Sequence, residues 1–387
     1  LPGTTLPGTT LPGTTLPGTT LPGTTLPGTT LLGTTLPGPD RDALRAAVAS
    51  LPDDEASGAL VRVSGHRGSW RGSGGVARLG TRQPVHPDGR FRVGSITKLF
   101  TATAALKLAG SGRLDLDRTV QHYLPGLLTP DFEPVTVRQL LDHTHGIAGH
   151  GLPHKDPDWF LAHRYDTFDP REVVELGVAR GPRFDPGTRQ EYGNAGYLVA
   201  GLVIEAVTGR PYAETVREEV IRPLGLRDTH LPGADPRIRG PHAHGYERTA
   251  TGHVDVTETN PTLQWAAAEA VSSAPDLDRF LGALLRGDFL TPAQRAELLT
   301  VPDAPAVPGT NAPGTAHALG ITRIELAPGL VVWGKSGDRP GYNNGVAGTA
   351  DGARTLVYSV NTLRMGGDQP DAAVRIITAA FSPGPRR

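Results

Sequence analysis

The first 40 residues are built on one pentapeptide, which limits what this chain can fold into. Six copies of Leu-Pro-Gly-Thr-Thr precede Leu-Leu-Gly-Thr-Thr and Leu-Pro-Gly-Pro-Asp. The repeat carries no charged or aromatic side chain, so it buries too little apolar surface to offset its chain entropy. We expect residues 1–40 to be a disordered linker or stalk. A sortase signal is the weaker interpretation, because such signals end in Gly and precede a hydrophobic anchor.

Charge and composition argue against several classes of partner. The chain has 38 basic and 39 acidic residues and no basic block, which disfavours nucleic acid and anionic membranes. No apolar run approaches the roughly 18 residues that a membrane-spanning helix needs. Without cysteine there is no disulfide, thiolate metal site or cysteine nucleophile. The chain starts at Leu1 rather than Met, which fits a removed signal peptide or a truncated reading frame.

Strand-like segments at both ends of residues 41–387 enclose a mostly helical middle, which predicts an α+β fold. We expect an antiparallel sheet flanked by helices, built from residues about 41–115 and 310–387, with a largely helical insertion at about 116–300. The predicted helices are Arg41–Leu51 (capped by Asp40), Ser95–Leu108, Asp169–Ala179, Ala195–Val207, Asp276–Leu285 and Asp371–Phe381. The predicted strands are Ala59–Ser64, Ser69–Arg78, Leu330–Gly334, Asn344–Thr349 and Arg354–Asn361.

The four lysines stand out against 34 arginines. Where arginine supplies every generic positive charge, a remaining lysine is a candidate for chemistry, because its amine can lose a proton near neutral pH. Lys98 ends the motif Ser95-Ile96-Thr97-Lys98, and positions i and i+3 share one face of a helix. The Lys98 amine can therefore reach the Ser95 hydroxyl and activate it as a nucleophile, with the helix start favouring negative charge.

Two further motifs supply partners for this pair. Tyr192-Gly193-Asn194 precedes a helix and offers a phenol to relay a proton and an amide to hold Lys98. Lys335-Ser336-Gly337 follows a predicted strand that can align an extended acyl substrate, with Lys335 and Ser336 binding a carboxylate. Gly337 allows close approach, and the Asp338 and Ser95 N–H groups can form an oxyanion hole. All three motifs occur by chance in about one such chain in a thousand.

In this order the motifs resemble those of the active-site serine penicillin-recognising enzymes, on the branch of class C β-lactamases and family VIII esterases. The chain looks most like the secreted D-alanyl-D-alanine carboxypeptidases of actinomycetes. The resemblance covers nearly all of residues 41–382 and not the repeats. Further matching segments are Phe91–Lys98, Gly112–Asp117, Tyr123–Leu127, Val135–Arg138, Leu141–Gly146, Pro223–Leu226, Asp276–Phe280 and Pro340–Tyr342.

The resemblance implies a β-lactamase/transpeptidase-like fold and an acyl-enzyme on Ser95. It also implies peptidoglycan stem peptides ending in D-Ala-D-Ala as substrate, β-lactams as acylating ligands, and an extracellular or cell-wall location. Trp265 resembles a cleft tryptophan of these carboxypeptidases, and Arg323 resembles an arginine that binds the substrate's terminal carboxylate. The carboxypeptidase pattern has His at Lys335, Thr at Ser336 and Ser at Gly193, so the match is incomplete there.

Several alternatives stay open. The same motifs fit a class C-like β-lactamase, an esterase or a penicillin-binding-type thioesterase, because one scaffold hosts several acyl transfers. A non-catalytic surface protein is disfavoured, because Ser95, Lys98 and Tyr192 are all present. His143, His145, His150 and His154 lack the His-Glu-x-x-His pattern of zinc enzymes and are interpreted as loop and turn residues. We expect no metal and no cofactor, and the sequence leaves the oligomeric state open.

Overall fold

The structure is a computed structural model and describes residues 36–382. Most of the predicted disordered tail lies outside the described residues. The first helix begins where the sequence predicts: the Asp40 carboxylate accepts hydrogen bonds from the backbone N–H groups of Asp42 and Ala43. These bonds satisfy two of the donors that every helix start leaves unpaired.

Seven strands form one antiparallel sheet in the order β2-β1-β11-β10-β9-β8-β7, and two short antiparallel pairs, β3 with β6 and β4 with β5, lie outside it. The α+β prediction is confirmed. The strands are β1 Ala56–Gly65, β2 Trp70–Gly75, β3 Arg90–Arg92, β4 Tyr246–Thr249, β5 Gly252–Asp255, β6 Val271–Ser273, β7 Thr315–His317, β8 Thr322–Ala327, β9 Leu330–Arg339, β10 Tyr342–Gly348 and β11 Arg354–Thr362.

Helices surround the sheet and fill the middle of the chain. The helices are α1 Arg41–Ala49, α2 Thr97–Gly110, α3 Val120–Tyr123, α4 Val137–Leu141, α5 Pro157–His163, α6 Pro170–Val178, α7 Ala195–Thr208, α8 Tyr212–Val216, α9 Trp265–Ala268, α10 Ala274–Arg286, α11 Pro292–Leu298 and α12 Asp371–Phe381. A 3₁₀ turn over Gly94–Ile96 precedes α2, and a π-helical turn follows α8. Within residues 36–382, none of these helices has the length and apolar character needed to cross a bilayer.

The sheet separates two apolar cores. In β1, Val61 and Val63 pack with α1 and α12 on one face, whereas Leu60 belongs to the larger core on the other face. This alternation follows from the two-residue period of a strand. The larger core surrounds α2, whose residues are buried on every side from Thr97 to Leu106. A helix with no solvent-exposed face is held by tertiary contacts on all sides, so α2 is a central helix of the larger core.

The structure corrects the predicted strands in one place that matters for the site. The strand predicted to end at Gly334 continues to Arg339, so the Lys335-Ser336-Gly337 motif lies inside β9 rather than after it. Local sequence favours a turn there, because Ser, Gly and Asp are turn residues. Pairing of residues 335–339 with residues 342–346 of β10 overrides that preference. The sequence also did not predict β7, β8 or the β4–β5 pair.

Candidate active site

Ser95 lies on the 3₁₀ turn that opens α2, and the Lys98 ammonium donates a hydrogen bond of 3.0 Å to its hydroxyl. The predicted i, i+3 contact is therefore present. Gly94 has a φ of 58°, and a Cβ at this position would lie 2.6 Å from the Asp338 nitrogen. Only glycine fits here, which lets β9 pack against the turn that carries Ser95.

Lys98 is fully buried and makes two further hydrogen bonds. Its ammonium donates to the Asn194 side-chain carbonyl at 2.7 Å and to the Ala267 backbone carbonyl at 3.2 Å. Burial lowers the pKa of Lys98 to about 8, with the neighbouring Tyr192 opposing this effect and Lys335 adding to it. A lysine with this pKa can exchange a proton near neutral pH.

The Tyr192 ring lies between two ammonium groups. The Lys335 nitrogen is 4.5 Å from the ring centroid and the Lys98 nitrogen is 5.1 Å from it. Burial alone would raise the pKa of Tyr192. The charges of Lys335 and Lys98, together with the Ser95 hydroxyl, outweigh burial and lower this pKa to about 7. This lowered pKa brings the phenolate form of Tyr192 within reach near neutral pH, which makes Tyr192 a candidate base beside Ser95.

The motif on β9 brings backbone groups next to Ser95. A Cβ on Gly337 would lie 1.9 Å from the Val93 carbonyl oxygen and 2.9 Å from the Ser95 nitrogen. Glycine is thus required for the strand to pass this close to the nucleophile turn. The approach brings the Ser95 and Asp338 backbone nitrogens into the same small region, as an oxyanion hole requires.

The same end of β9 presents an edge to the cavity. Among the described residues, β8 pairs with β9 only as far as Gly334, and residues 335–339 pair with β10 alone. An unpaired strand edge offers main-chain donors and acceptors to an extended ligand. Lys335 is buried, and its ammonium donates to the Ser336 carbonyl at 3.2 Å.

These groups meet at a cavity of about 250 Å³. Ser95, Tyr192 and Asn194 line one part of it, and Ser336, Gly337 and Asp338 line the strand edge. An aromatic and apolar part is contributed by Trp159, Phe160, Phe168 and Leu263. A charged part is contributed by His154, Lys155 and Arg339. The cavity therefore combines a set of reactive groups with space for a small acyl ligand.

Comparison with known proteins decides the family. The family model described as Beta-lactamase matches residues 44–381. The chain belongs to the β-lactamase family. It is therefore a serine hydrolase of the group that includes the penicillin-binding proteins.

Among solved structures, a D-stereospecific amidohydrolase from Streptomyces sp. is similar to this β-lactamase-family chain. It has 35% sequence identity and a TM-score of 0.78, covering 89% of this chain and 99% of that one. D-alanyl-D-alanine-carboxypeptidase/endopeptidase AmpH of Escherichia coli (strain K12) is 27% identical over 70% of this chain and 69% of that protein. Penicillin-binding protein 4 of Amycolatopsis lactamdurans is 31% identical, and the match spans 53% of each protein.

The structure places two predicted binding residues away from this family site. The Trp265 indole is buried against the Tyr212 ring, with centroids 5.0 Å apart, and it does not line the cavity. Arg323 lies on β8 opposite Trp333 and is also absent from the cavity lining. The last residue pair between β8 and β9 is one position beyond Arg323. Arg323 therefore lies where β9 is still paired, and not beside the free edge of residues 335–339.

Three cavity or near-cavity residues were not predicted from the sequence. Gln264 accepts a hydrogen bond of 2.6 Å from the Asn194 amide and lines the cavity. The His143 and His317 rings lie 4.6 and 4.9 Å from the Tyr192 ring. Burial lowers the pKa of both histidines, so they flank Tyr192 as neutral rings. The one pointer to these residues in the sequence is that His143 lies in the segment Leu141–Gly146, which resembles the family.

The histidines interpreted as loop and turn residues include one close pair. His150 and His154 have rings 4.9 Å apart, and each makes a hydrogen bond to its own loop. Between residues 36 and 382, no three His, Cys, Asp or Glu side chains are grouped as metal ligands would be.

Proposed function

We propose that this protein hydrolyses amide bonds whose acyl residue is a D-amino acid. D-alanyl-D-alanine carboxypeptidase action on peptidoglycan stem peptides is the form of this activity predicted from the sequence. The observation that carries the proposal is that Ser95, Lys98 and Tyr192 meet beside the unpaired edge of β9. The similarity to a D-stereospecific amidohydrolase over 89% of the chain supports the D-configuration. Peptidoglycan stem peptides as substrate imply an extracellular or cell-wall location for this protein.

The proposed chemistry proceeds through an acyl-enzyme. The Tyr192 phenolate takes the proton of the Ser95 hydroxyl while the serine oxygen bonds to the substrate carbonyl carbon. The Ser95 and Asp338 N–H groups donate to the resulting oxyanion. Tyr192 then returns its proton to the leaving amine as the carbon–nitrogen bond breaks. Water repeats the sequence on the ester, which releases the acid and restores the Ser95 hydroxyl.

Lys98 supports both steps by its hydrogen bonds. Its ammonium donates to the Ser95 oxygen, so it stabilises the alkoxide-like charge that develops there. The Asn194 and Ala267 carbonyls hold this ammonium in place. Together with Lys335, Lys98 also stabilises the phenolate form of Tyr192.

The substrate backbone would lie along the free edge of β9. With the scissile carbonyl at the Asp338 N–H, the leaving group extends toward Ser336 and Lys335. A positive charge at that end suits a leaving group with a terminal carboxylate, as in D-Ala-D-Ala. D-amino acid amides lack this carboxylate and are the second candidate substrate, favoured by the similarity to the amidohydrolase.

The test compares four substrates on one protein: acetyl-D-Ala-D-Ala, acetyl-D-Ala-D-alaninamide, D-alaninamide and acetyl-L-Ala-L-Ala. Chromatography measures release of the leaving group, and Ser95→Ala is the control. We expect hydrolysis of at least one D-substrate, none of the L-peptide, and loss of all turnover in Ser95→Ala, by about 10⁴-fold or more.

Intact-mass spectrometry after mixing with benzylpenicillin separates the rival functions. A long-lived adduct that is absent from Ser95→Ala supports a penicillin-binding peptidase. Rapid hydrolysis of the drug without cleavage of D-peptides would instead identify a β-lactamase. Turnover of p-nitrophenyl esters alone, or residual activity in Ser95→Ala, would contradict the proposal.

A further inference from the structure

Arg339 is half-buried, and its guanidinium is paired less completely than those of the two fully buried arginines, Arg92 and Arg354. Its Nε atom is shielded from solvent and has no hydrogen-bond partner, and among residues 36–382 the side chain forms no ion pair. Arg92 and Arg354 each also have one shielded guanidinium nitrogen without a partner, but they donate through other nitrogens to the backbone carbonyls of Thr257 and Ala380 at 3.0 and 2.7 Å. Arg339 nevertheless lines the catalytic cavity. A guanidinium in this position is available to a ligand.

Leaving the shielded Nε–H of this cation unpaired is unfavourable, because burial removes its hydration without replacing it. Burial lowers the pKa of Arg339 to about 10, and the nearby charge of Arg92 adds to this effect. An anion bound in the cavity would remove the penalty. A guanidinium presents parallel N–H groups that match the two oxygens of a carboxylate.

The surroundings of Arg339 are mainly basic. His154 and Lys155 also line the cavity. Burial lowers the pKa of His154, and the nearby charges of Lys155 and Arg339 add to this effect. The acids that line the same cavity are Asp338, Glu55 and Asp368, and the Asp338 carboxylate accepts a hydrogen bond of 2.6 Å from Asn343. This part of the cavity therefore favours an anionic ligand group.

The position of Arg339 along β9 identifies which part of the substrate it meets. Asp338, whose N–H is proposed to bind the oxyanion, lies between Ser336 and Arg339. Successive residues of a strand are about 3.3 Å apart. A substrate whose leaving group extends over Ser336 therefore directs its acyl part past Arg339.

We propose that Arg339 binds a carboxylate carried by the acyl part of the substrate, on the N-terminal side of the bond that is cleaved. Arg339 is then a specificity residue for anionic acyl groups. The substrate orientation used here rests on the proposed function. The residue assignment differs from the prediction for Arg323, which does not reach the cavity.

The first test uses substrates whose acyl groups differ by one carboxymethyl group, and hence by one negative charge: succinyl-D-Ala-D-Ala and acetyl-D-Ala-D-Ala. The wild-type protein should prefer the succinyl peptide by about 10- to 100-fold in kcat/KM, mainly through KM, as expected for a charged hydrogen bond. Arg339→Gln should remove this preference, because it lowers kcat/KM for the succinyl peptide far more than for the acetyl peptide. Arg339→Lys should retain part of the preference.

Two further arginine variants act as controls for the role of Arg339. Arg82→Gln removes an exposed arginine outside the cavity and should keep the full preference. Loss of the preference in Arg323→Gln rather than in Arg339→Gln would overturn the proposal. It would also be overturned if Arg339→Gln changed the discrimination between acetyl-D-Ala-D-Ala and acetyl-D-Ala-D-alaninamide, because those peptides differ only on the leaving side.

A second matched pair makes the test independent of peptide turnover. Carbenicillin differs from benzylpenicillin by one carboxylate on the acyl side chain, and intact-mass spectrometry gives the rate of Ser95 acylation by each. A carbenicillin preference that disappears in Arg339→Gln supports the proposal even if no D-peptide is cleaved, in which case the proposed function alone fails. Equal acylation rates in the wild-type protein, or a preference that persists in Arg339→Gln, would contradict it.

Discussion

The catalytic cavity has two contrasting walls. On one wall, Ser95, Lys98, Tyr192 and Asn194 contact one another, and the four side chains stand on or directly before the buried helices α2 and α7. On the other wall, aromatic and charged side chains come from the segment around α5 and from the end of β9. The first wall is suited to one chemistry, and the second is suited to selecting a substrate.

The difference follows from how each wall is supported. The helices that carry the first wall are packed into the larger apolar core, so the geometry of its groups is fixed before any ligand binds. The second wall is contributed largely by loops and a short helix, which tolerate sequence change. Members of one family can therefore share a reaction and differ in substrate. The comparison predicts that substitutions in the first wall change kcat, whereas those in the second change KM.

After Ser95 itself, the largest effect is expected at Tyr192. Tyr192→Phe removes the hydroxyl that is proposed to carry the proton and should lower kcat by about 10²- to 10⁴-fold. The matched control is Tyr197→Phe, which removes a buried hydroxyl that donates to the Leu141 carbonyl at 2.6 Å. This control should cost about 1 kcal/mol of stability in chemical denaturation and leave kcat nearly unchanged. Equal kcat losses in both variants would show that Tyr192 acts only through packing.

The pH dependence gives a smaller effect within the same wall. Because the phenolate of Tyr192 is the proposed base and its pKa is lowered to about 7, kcat/KM should rise as the pH increases through 7. Lys335→Gln removes the charge that lowers this pKa most. The rise of kcat/KM should then occur at higher pH in this variant than in the wild-type protein.

Lys107→Gln is the control for that measurement. The Lys107 ammonium lies 4.7 Å from the Phe289 ring centroid, away from the cavity lining. Its removal should leave the pH profile in place. A profile that is unchanged in Lys335→Gln would contradict the role of Lys335 in setting the charge state of Tyr192.

The smallest effect is expected in the second wall. Trp159 lines the cavity and stacks on His163 with a centroid distance of 4.4 Å. Trp159→Ala should raise KM for an acyl substrate by about tenfold and leave kcat within about twofold, because it removes apolar contact area remote from the reacting atoms. Trp70→Ala, at a tryptophan that packs against the smaller core and does not line the cavity, should leave KM unchanged. A fall in kcat in Trp159→Ala would show that Trp159 supports the chemical step, as the residues of the first wall do.

The first wall was largely predictable from the sequence, whereas the second was not. Ser95 and Lys98 are one helical turn apart, so local geometry alone brings them together. Tyr192 and Asn194 lie directly before α7, so their motif can also be recognised from neighbouring residues in the sequence. Gln264, His317 and Arg339 reach the site through pairings and packing between distant segments, and no local pattern encodes those contacts.

β9 shows the same limit in the fold. Its first five residues carry a clear strand pattern, and the next five contain Ser, Gly and Asp, which favour turns. The strand continues because β10 pairs with it, and the site depends on this continuation. The prediction for Arg323 rests on family resemblance, and the residue fails to reach the cavity because the β8 ladder is still paired at that point.

The burial of α2 on every side has a consequence for how this protein loses activity. From Thr97 to Leu106 this helix contacts the core all round and has no solvent-facing turn that can open by itself, so we expect this part to unfold only with the whole core. The nucleophile is mounted on the start of this helix. Thermal inactivation should therefore follow the same cooperative transition as global melting, and a population that is folded but chemically silent should not accumulate before it.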